Sequence, residues 1–212
     1  VGEPTGVLAD YGSMATAFAE LYQLTGEASW LTTASDLLNV AVDNFGDGDG
    51  GFYDTGADAE TLIARPADPT DGATPSGSSA VIEALTTYTA LTGDVRFREV
   101  ADAAVATVVP VIAGHARFAG LAAAVGEAML AGPLEIAIVG GDTESLVRAA
   151  LQHAPAGSVI VHGAPDQPGS PLLADRPLRG GAPTAYVCRG FVCRLPVTAE
   201  ADLIEQLTAL PR

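Results

Sequence analysis

Asp10 and Asp71 each stand at the start of a segment with helical apolar spacing, and polar companions follow both: Tyr11 after the first, Ser76 and Ser78 after the second. Two carboxyls facing each other across a sugar can serve as general acid and general base, so these aspartates are the candidate catalytic pair. Tyr11, Tyr53, Arg65, Ser76 and Ser78 are the candidate substrate-binding residues. Aromatic rings stack on sugar faces, hydroxyls exchange hydrogen bonds, and a guanidinium grips carboxylate or phosphate. Each type also has an ordinary use: Asp and Ser cap helices and form turns, aromatics fill cores, and Arg supports loops. Helix starts that line a concavity add free N–H groups, which suit sugar hydroxyls or anions.

The segment DGATPSGSSA at 71–80 needs a separate test. From Gly72 it reads G-x-x-x-x-G-S-S, one residue away from a phosphate-binding loop. Such a loop needs a buried strand before it and a Lys within it. Here RPADPT precedes, with two prolines, and Ser78 occupies the Lys position. A helix start fits better, with Pro75 suited to the first turn and Thr74 or Ser76 as cap. The acidic run GDGDGGFYD fails the calcium-loop template, because Gly51 and Phe52 occupy its fifth and sixth positions. IVGGDTES lacks the G-x-G-x-x-G of a dinucleotide site, and Asp142 would repel phosphate there. No metal or cofactor site is expected.

Cys188 and Cys193 are spaced C-x-x-x-x-C, not as a C-x-x-C redox pair. A turn at Arg189-Gly190 would set the thiols diagonally on one face as buried free thiols, the reading preferred on burial statistics. A four-residue loop would place them opposite each other and within disulfide reach. Zinc would need two more ligands at conventional spacing, although His153 and His162 exist. His115 falls in a linker-like stretch after Pro110 and has no evident partner.

The elements that must carry these residues are mainly helices. Val7, Leu8, Tyr11, Met14, Phe18, Leu21 and Tyr22 recur at three- and four-residue steps, which makes an amphipathic helix closed by Gly26. A second helix follows over about 28–44, with Trp30, Leu31, Leu37, Leu38 and Val42 apolar. LTGEASWLTTA at 24–34 then returns as LTGDVRFREVA at 91–101, with Gly26 matching Gly93 and Trp30 matching Phe97. The unit is a helical hairpin, and such units stack because two helices cannot bury their apolar faces alone. Another helix is expected near 117–130. Past Gly132 the pattern changes: LEIAIVGG and SVIVHG read as strands around a helix, 163–183 as a long loop, AYVCRGFVCRLPV as strand, turn, strand, and the last segment as a helix capped by Thr198. The expected fold class is mostly α, with helical hairpins over 1–132 and a small α/β domain over 133–212.

All ten basic residues are Arg, and the net charge is −16. Nucleic acid and anionic membrane surfaces are therefore not expected partners, since both demand clustered positive charge. No unbroken apolar run reaches about 18 residues, so no membrane span is expected. Two cysteines make no disulfide framework, and a cytoplasmic location is the default expectation. A chain that begins at Val1 instead of Met is compatible with trimming or a removed leader.

Four segments, LADYGSM at 8–14, GGFYDT at 50–55, DGATPSGSSA at 71–80 and AYVCRGFVCRLPV at 185–197, together resemble the C-terminal region of the spermatogenesis-associated, thioredoxin-like protein family. The resemblance implies an α/α toroid like that of six-hairpin glycosidases and N-acylglucosamine 2-epimerases, preceded in the family by a thioredoxin-like domain. Against the family layout this chain corresponds to roughly the last third, a fragment by domain-size norms. The missing N-terminal part of the same protein is thus an implied partner, and a sugar or other small polar ligand the implied substrate class. Epimerases of this class use His for proton transfer, which gives His115 an implied interest. Where the family reads P-S-G-N-S, Ser78 replaces Asn, which bears on any ligand contact made there. The implied function is carbohydrate processing, inactive in the fragment alone. The rivals are a non-catalytic binding or regulatory module whose redox work lies in the thioredoxin-like domain, and redox use of Cys188 and Cys193 themselves.

Overall fold

Gly26 and Gly93 both adopt left-handed backbone, with φ of 70° and 75°, and each ends one helix of a hairpin. Only glycine takes this conformation without steric cost, which is why the repeated L-T-G turn is readable. The computed structural model describes residues 6–209. The first hairpin pairs α1 (Leu8–Thr25) with α2 (Ala28–Phe45), and the second pairs α3 (Gly77–Thr92) with α4 (Val95–His115). Asp94 caps α4, its carboxylate accepting the Phe97 N–H at 3.1 Å. After a 3-10 turn at Ala116–Phe118 comes α5 (Gly120–Ala131), three residues later than the sequence suggests.

Two expectations about the helices change. The segment after Pro110 is no linker: α4 runs through Pro110 to His115. Both Pro110 and Ala106, whose carbonyl loses its amide partner, are exposed, so water can satisfy that group. As a result the stretch Val95–Phe118 is, among the described residues, long and apolar enough to cross a membrane by length and composition, with window hydropathy 1.3. Its buried positions Phe97, Ala101, Ala104 and Val108 nonetheless follow the three- and four-residue stripe of a helix packed on a protein core.

The second change concerns α1. Its buried stripe is Leu8, Gly12, Ala15 and Ala19, continuing to Tyr22, while Val7 and Met14 are about half exposed (46% and 47%). Small residues occupy the inner face because α3 lies against the α1 backbone. A Cβ on Gly12 would sit 2.7 Å from backbone atoms of Ala80 and Val81. Phe18 instead stacks on Trp30, with ring centroids 5.5 Å apart.

The described chain forms two units. One holds the chain up to Ala19, Trp30–Thr89 and Asp94–Glu127; the other holds Glu20–Ser29, Ala90–Gly93 and everything from Ala128. In the first unit α3 is the most enclosed helix, with Gly77 to Ile82 buried without interruption.

The second unit is built on a mixed sheet of order β2-β1-β3-β4. Strand β1 (Glu135–Val139) is buried at every residue and runs parallel to β2 (Val159–Gly163), with α6 (Glu144–His153) as crossover. Strand β3 (Thr184–Arg189) is antiparallel to β1, and β4 (Val192–Cys193) returns beside β3. Ile136 and Ile138 of β1 pack with Leu146 and Ala150 of α6 and with Leu203 and Leu207 of α7 (Glu200–Thr208). Thr198 does not cap α7. Ala199 holds the cap position without a side-chain bond, and Glu200 and Asp202 complement the helix dipole instead. The long loop is more ordered than its composition suggests, with Leu172 and Leu173 fully buried in a short 3-10 turn. The first hairpin turn joins this unit: Gln23 accepts the Ile160 N–H at 2.8 Å, and Gln167 donates to the Gly26 carbonyl at 3.0 Å. Seven α-helices and four short strands among the described residues make the protein mostly α with a small α/β part.

Candidate functional site

A helix start leaves its first N–H groups without backbone partners, and the segment before α3 supplies them. Asp71 is buried, and its Oδ1 accepts the Ser76 N–H at 2.9 Å. Its Oδ2 accepts the N–H groups of Leu121 and Ala122, in the first turn of α5, at 2.8 and 3.3 Å. The Asp71 N–H in turn donates to the Phe118 carbonyl at 2.7 Å. Ser76 caps α3 directly, its Oγ accepting from Ser79 N–H at 3.1 Å and lying 2.9 Å from the Ser79 hydroxyl. One carboxylate therefore ties together two helix starts, reaching 50 residues along the chain to Leu121.

Burial by itself would raise the Asp71 pKa. The Ser76 N–H, the Ser79 hydroxyl and the Ala122 and Leu121 N–H groups more than offset it, holding the carboxyl below its ordinary 3.8. At neutral pH Asp71 is ionised, with both oxygens occupied by donors. Its two oxygens hold the starts of α3 and α5 in place.

The start of α1 lies at the same place. Gly77 packs on Leu8 and the Ala9 N–H, where an added Cβ would come within 2.9 to 3.1 Å. Asp10, in the first turn of α1, is exposed, and one of its oxygens accepts the Val7 N–H at 3.0 Å. Tyr11 packs against Phe45, with centroids 5.1 Å apart. Thus the leading ends of α1, α3 and α5 gather at one end of the first unit.

The excursion at 46–70 runs over that end. The Leu8 N–H donates to the Asp54 carbonyl at 3.0 Å, and Tyr53 N–H to Phe45 carbonyl at 2.8 Å. Arg65 pins the excursion from inside. Its guanidinium donates to the Thr55 carbonyl through Nε at 3.2 Å and also through Nη2, and to the Asn44 carbonyl at 3.0 Å, while lying 4.1 Å over the Tyr53 ring. Tyr53 and Arg65 are thus neighbours, and the arginine's contacts are to backbone and ring. Replacing Arg65 with Ala should destabilise the protein by about 1–2 kcal/mol, as two carbonyls and a ring lose their cation. Lys should restore only part, since it is a point donor without the planar fork. Urea unfolding measures the loss, and faster protease cleavage within 46–70 locates it.

Ser78 is buried and lines a small cavity with Asp47, Gly51, Phe52, Ala67, Pro69 and Thr107. Its volume is about 150 Å³, well under the roughly 300 Å³ at which small-molecule pockets begin. Asp47 uses its Oδ1 to accept the Asp49 and Gly51 N–H groups at 2.8 and 2.9 Å, closing the glycine-rich turn. No cluster of three metal-ligating side chains occurs among the described residues. His115 is exposed at the end of α4.

The cysteines depart from the preferred reading. They form a disulfide, Cys188–Cys193, because the turn lies one residue later than supposed. Gly190 and Phe191, with φ of 55° and 63°, make the two-residue turn, Arg189 pairs with Val192, and Cys188 stands directly opposite Cys193. Nothing in the composition marks Phe191 for left-handed backbone. Its N–H is held by Glu135 Oε2 at 2.6 Å, a contact from a strand 56 residues away.

Beside the disulfide lies Arg176, only 6% exposed. Its Nη2 is 3.4 Å from Cys193 Sγ and 3.6 Å from Cys188 Sγ, and Nη1 donates to the Ala174 carbonyl at 2.7 Å. Burial lowers its pKa, opposed by the charges of Glu135, Tyr186 and Asp175. The sequence offered no signal for this contact, since the arginine precedes the first cysteine by 12 residues in a loop. No protein-family model matches this chain, and no curated protein matches it either.

Proposed function

We propose that the helical hairpins are part of an α/α toroid of the kind found in six-hairpin glycosidases and N-acylglucosamine 2-epimerases, within a spermatogenesis-associated, thioredoxin-like protein. The end where α1, α3 and α5 begin is its ligand end, and the ligand is a sugar or a similarly small polar molecule. The observation that carries this reading is the Asp71 carboxylate, which joins the starts of α3 and α5 while Gly77 holds α3 against the start of α1. Helices that alternate outward and return, with every outward start at one end, are what a ring of hairpins requires. In this reading Asp10, exposed in the first turn of α1, is the carboxylate available to a substrate, and Tyr11, Tyr53 and Ser78 remain candidate binding residues. Preceding hairpins complete the hollow, which makes the chain inactive alone.

A second reading, a non-catalytic binding or regulatory module, draws support from the engagement of both Asp71 oxygens by helix N–H groups. Thermal unfolding of the protein with its preceding hairpins, against a panel of mono- and disaccharides, tests both. A bound sugar at about 100 times its Kd should add roughly 2.7 kcal/mol, a rise of about 5 °C or more. A sugar that binds and is turned over, with turnover abolished in Asp10→Asn, supports the enzyme. Binding without turnover supports the module, and no sugar shift at all removes the carbohydrate reading.

A further inference from the structure

The Cys188–Cys193 disulfide opens onto a cavity of about 460 Å³, and the two sulfurs face it unequally. Cys193 and Arg176 are among its lining residues, while Cys188 is 1% exposed and lies behind it. Arg179 and Arg194, both exposed, line the same cavity. Three of the ten basic residues of a chain with net charge −16 therefore line one cavity, and one of them, Arg176, touches the disulfide. The Nε of Arg176 is buried and has no hydrogen-bond partner among the described residues. The nearby carboxylates of Glu135 and Asp175 offset part of the cost of burying this charge, and one donor remains to meet an incoming anion.

We propose that Cys188–Cys193 is an exchangeable disulfide whose arginine-lined cavity admits an acidic low-molecular-weight thiol. The incoming thiolate attacks the accessible Cys193 Sγ, a new sulfur–sulfur bond forms there, and the Cys188–Cys193 bond breaks. The bonding pair leaves on Cys188 Sγ as a thiolate, which the adjacent Arg176 guanidinium stabilises. A second thiolate then attacks the small-molecule sulfur of the mixed disulfide and releases Cys193 as thiolate. The balance is one protein disulfide plus two thiols giving one protein dithiol plus one small-molecule disulfide, with two electrons passed to the protein. Opposite charge near a thiol favours its thiolate, so Arg176 improves the leaving group. Arg179 and Arg194 raise the local concentration of an anionic attacker. Glu135, buried beside the turn, Asp175, on the rim, and Asp166, whose carboxylate accepts the Asp175 N–H at 2.7 Å, oppose this field, while Arg176, Arg179 and Arg194 line the cavity itself.

Reduced glutathione, an anionic thiol, and cysteamine, a cationic one, are the probes. Each is added to the oxidised full chain at low ionic strength, and alkylated mixed disulfides are located by peptide mass spectrometry. The adduct should form on Cys193, with a rate per thiolate about tenfold higher for glutathione. That ratio should fall toward one in high salt and in the Arg179→Ser, Arg194→Ser double variant, with unchanged thermal unfolding as the check that losing the Arg194 contact to the Gln206 carbonyl has not loosened the fold. A predominant adduct on Cys188, equal rates for the two thiols, or a disulfide untouched by either would each overturn the proposal. None of these results depends on whether the helical hairpins bind sugar.

Discussion

Asp71→Ala should cost about 3 kcal/mol of stability, because α5 loses the acceptor of its first N–H groups and Ser76, the cap of α3, loses the acceptor that holds it. A single lost cap costs typically about 1 kcal/mol and up to about 2, and here the Ser76, Leu121 and Ala122 N–H groups are all left without their acceptor. Asp71→Asn is the sharper test. Asn keeps one acceptor oxygen and presents an NH₂ in place of the other, so it can serve one helix start while its donors confront the second. A purely electrostatic role would make Asn as damaging as Ala; a hydrogen-bonding role predicts an intermediate loss, and chemical denaturation distinguishes them. The pH dependence has a definite sign. Because the folded carboxyl titrates below its ordinary value of 3.8, its contribution is complete above that pH. It declines as pH falls through the lower folded value. Wild-type protein should therefore lose stability through that acid window by an amount missing from Asp71→Asn. Equal acid sensitivity in the two proteins would contradict the assignment.

Gly12→Ala should also destabilise, by about 2 kcal/mol or more, against the trend of helix propensity. In an open helix Ala is better than Gly by about 1 kcal/mol. At position 12 the added methyl would lie 2.7 Å from the Ala80 carbonyl carbon and the Val81 nitrogen, and 2.9 Å from the Ala80 Cβ. Those atoms belong to a buried helix and have no flexible end to yield, so α1 and α3 must move apart. Gly126→Ala in α5 is the control: its nearest heavy atom would be the Val105 Cγ2 at 3.7 Å, an ordinary contact. That variant should gain up to about 1 kcal/mol. Opposite signs at the two glycines, read from thermal or urea unfolding, would establish close helix approach; a stabilised Gly12→Ala would refute it. The consequence reaches the proposed ligand end, because the same approach keeps the starts of α1 and α3 together.

Much of the hairpin architecture was legible because its signals are local. Gly26 and Gly93 end helices through their own backbone freedom, and Asp94 caps α4 through a residue three positions on. The β1, α6, β2 order likewise follows from short apolar runs around an amphipathic segment. The inner face of α1 was not legible: large residues suggested one stripe, but close packing selected Gly12, Ala15 and Ala19, whose value appears only when a second backbone arrives. Pro110 misled for a related reason, since its cost falls on exposed groups that water can satisfy.

The candidate residues divide in the same way. That the starts of aligned hairpins share one end could be expected, whereas what each candidate residue touches could not. Asp71 reaches across 50 residues to Leu121, Arg65 across 21 to Asn44, and Glu135 across 56 to Phe191, which shifts a turn by one residue and brings Cys188 opposite Cys193. Residue type and near-neighbour spacing were enough to set out the hairpins and strands, because turns and caps draw on groups only a few positions away. Which donors an acid satisfies, which glycine must stay bare and which sulfurs meet were settled when distant backbone segments closed on one another. Those outcomes depend on contacts that no short window of the chain contains.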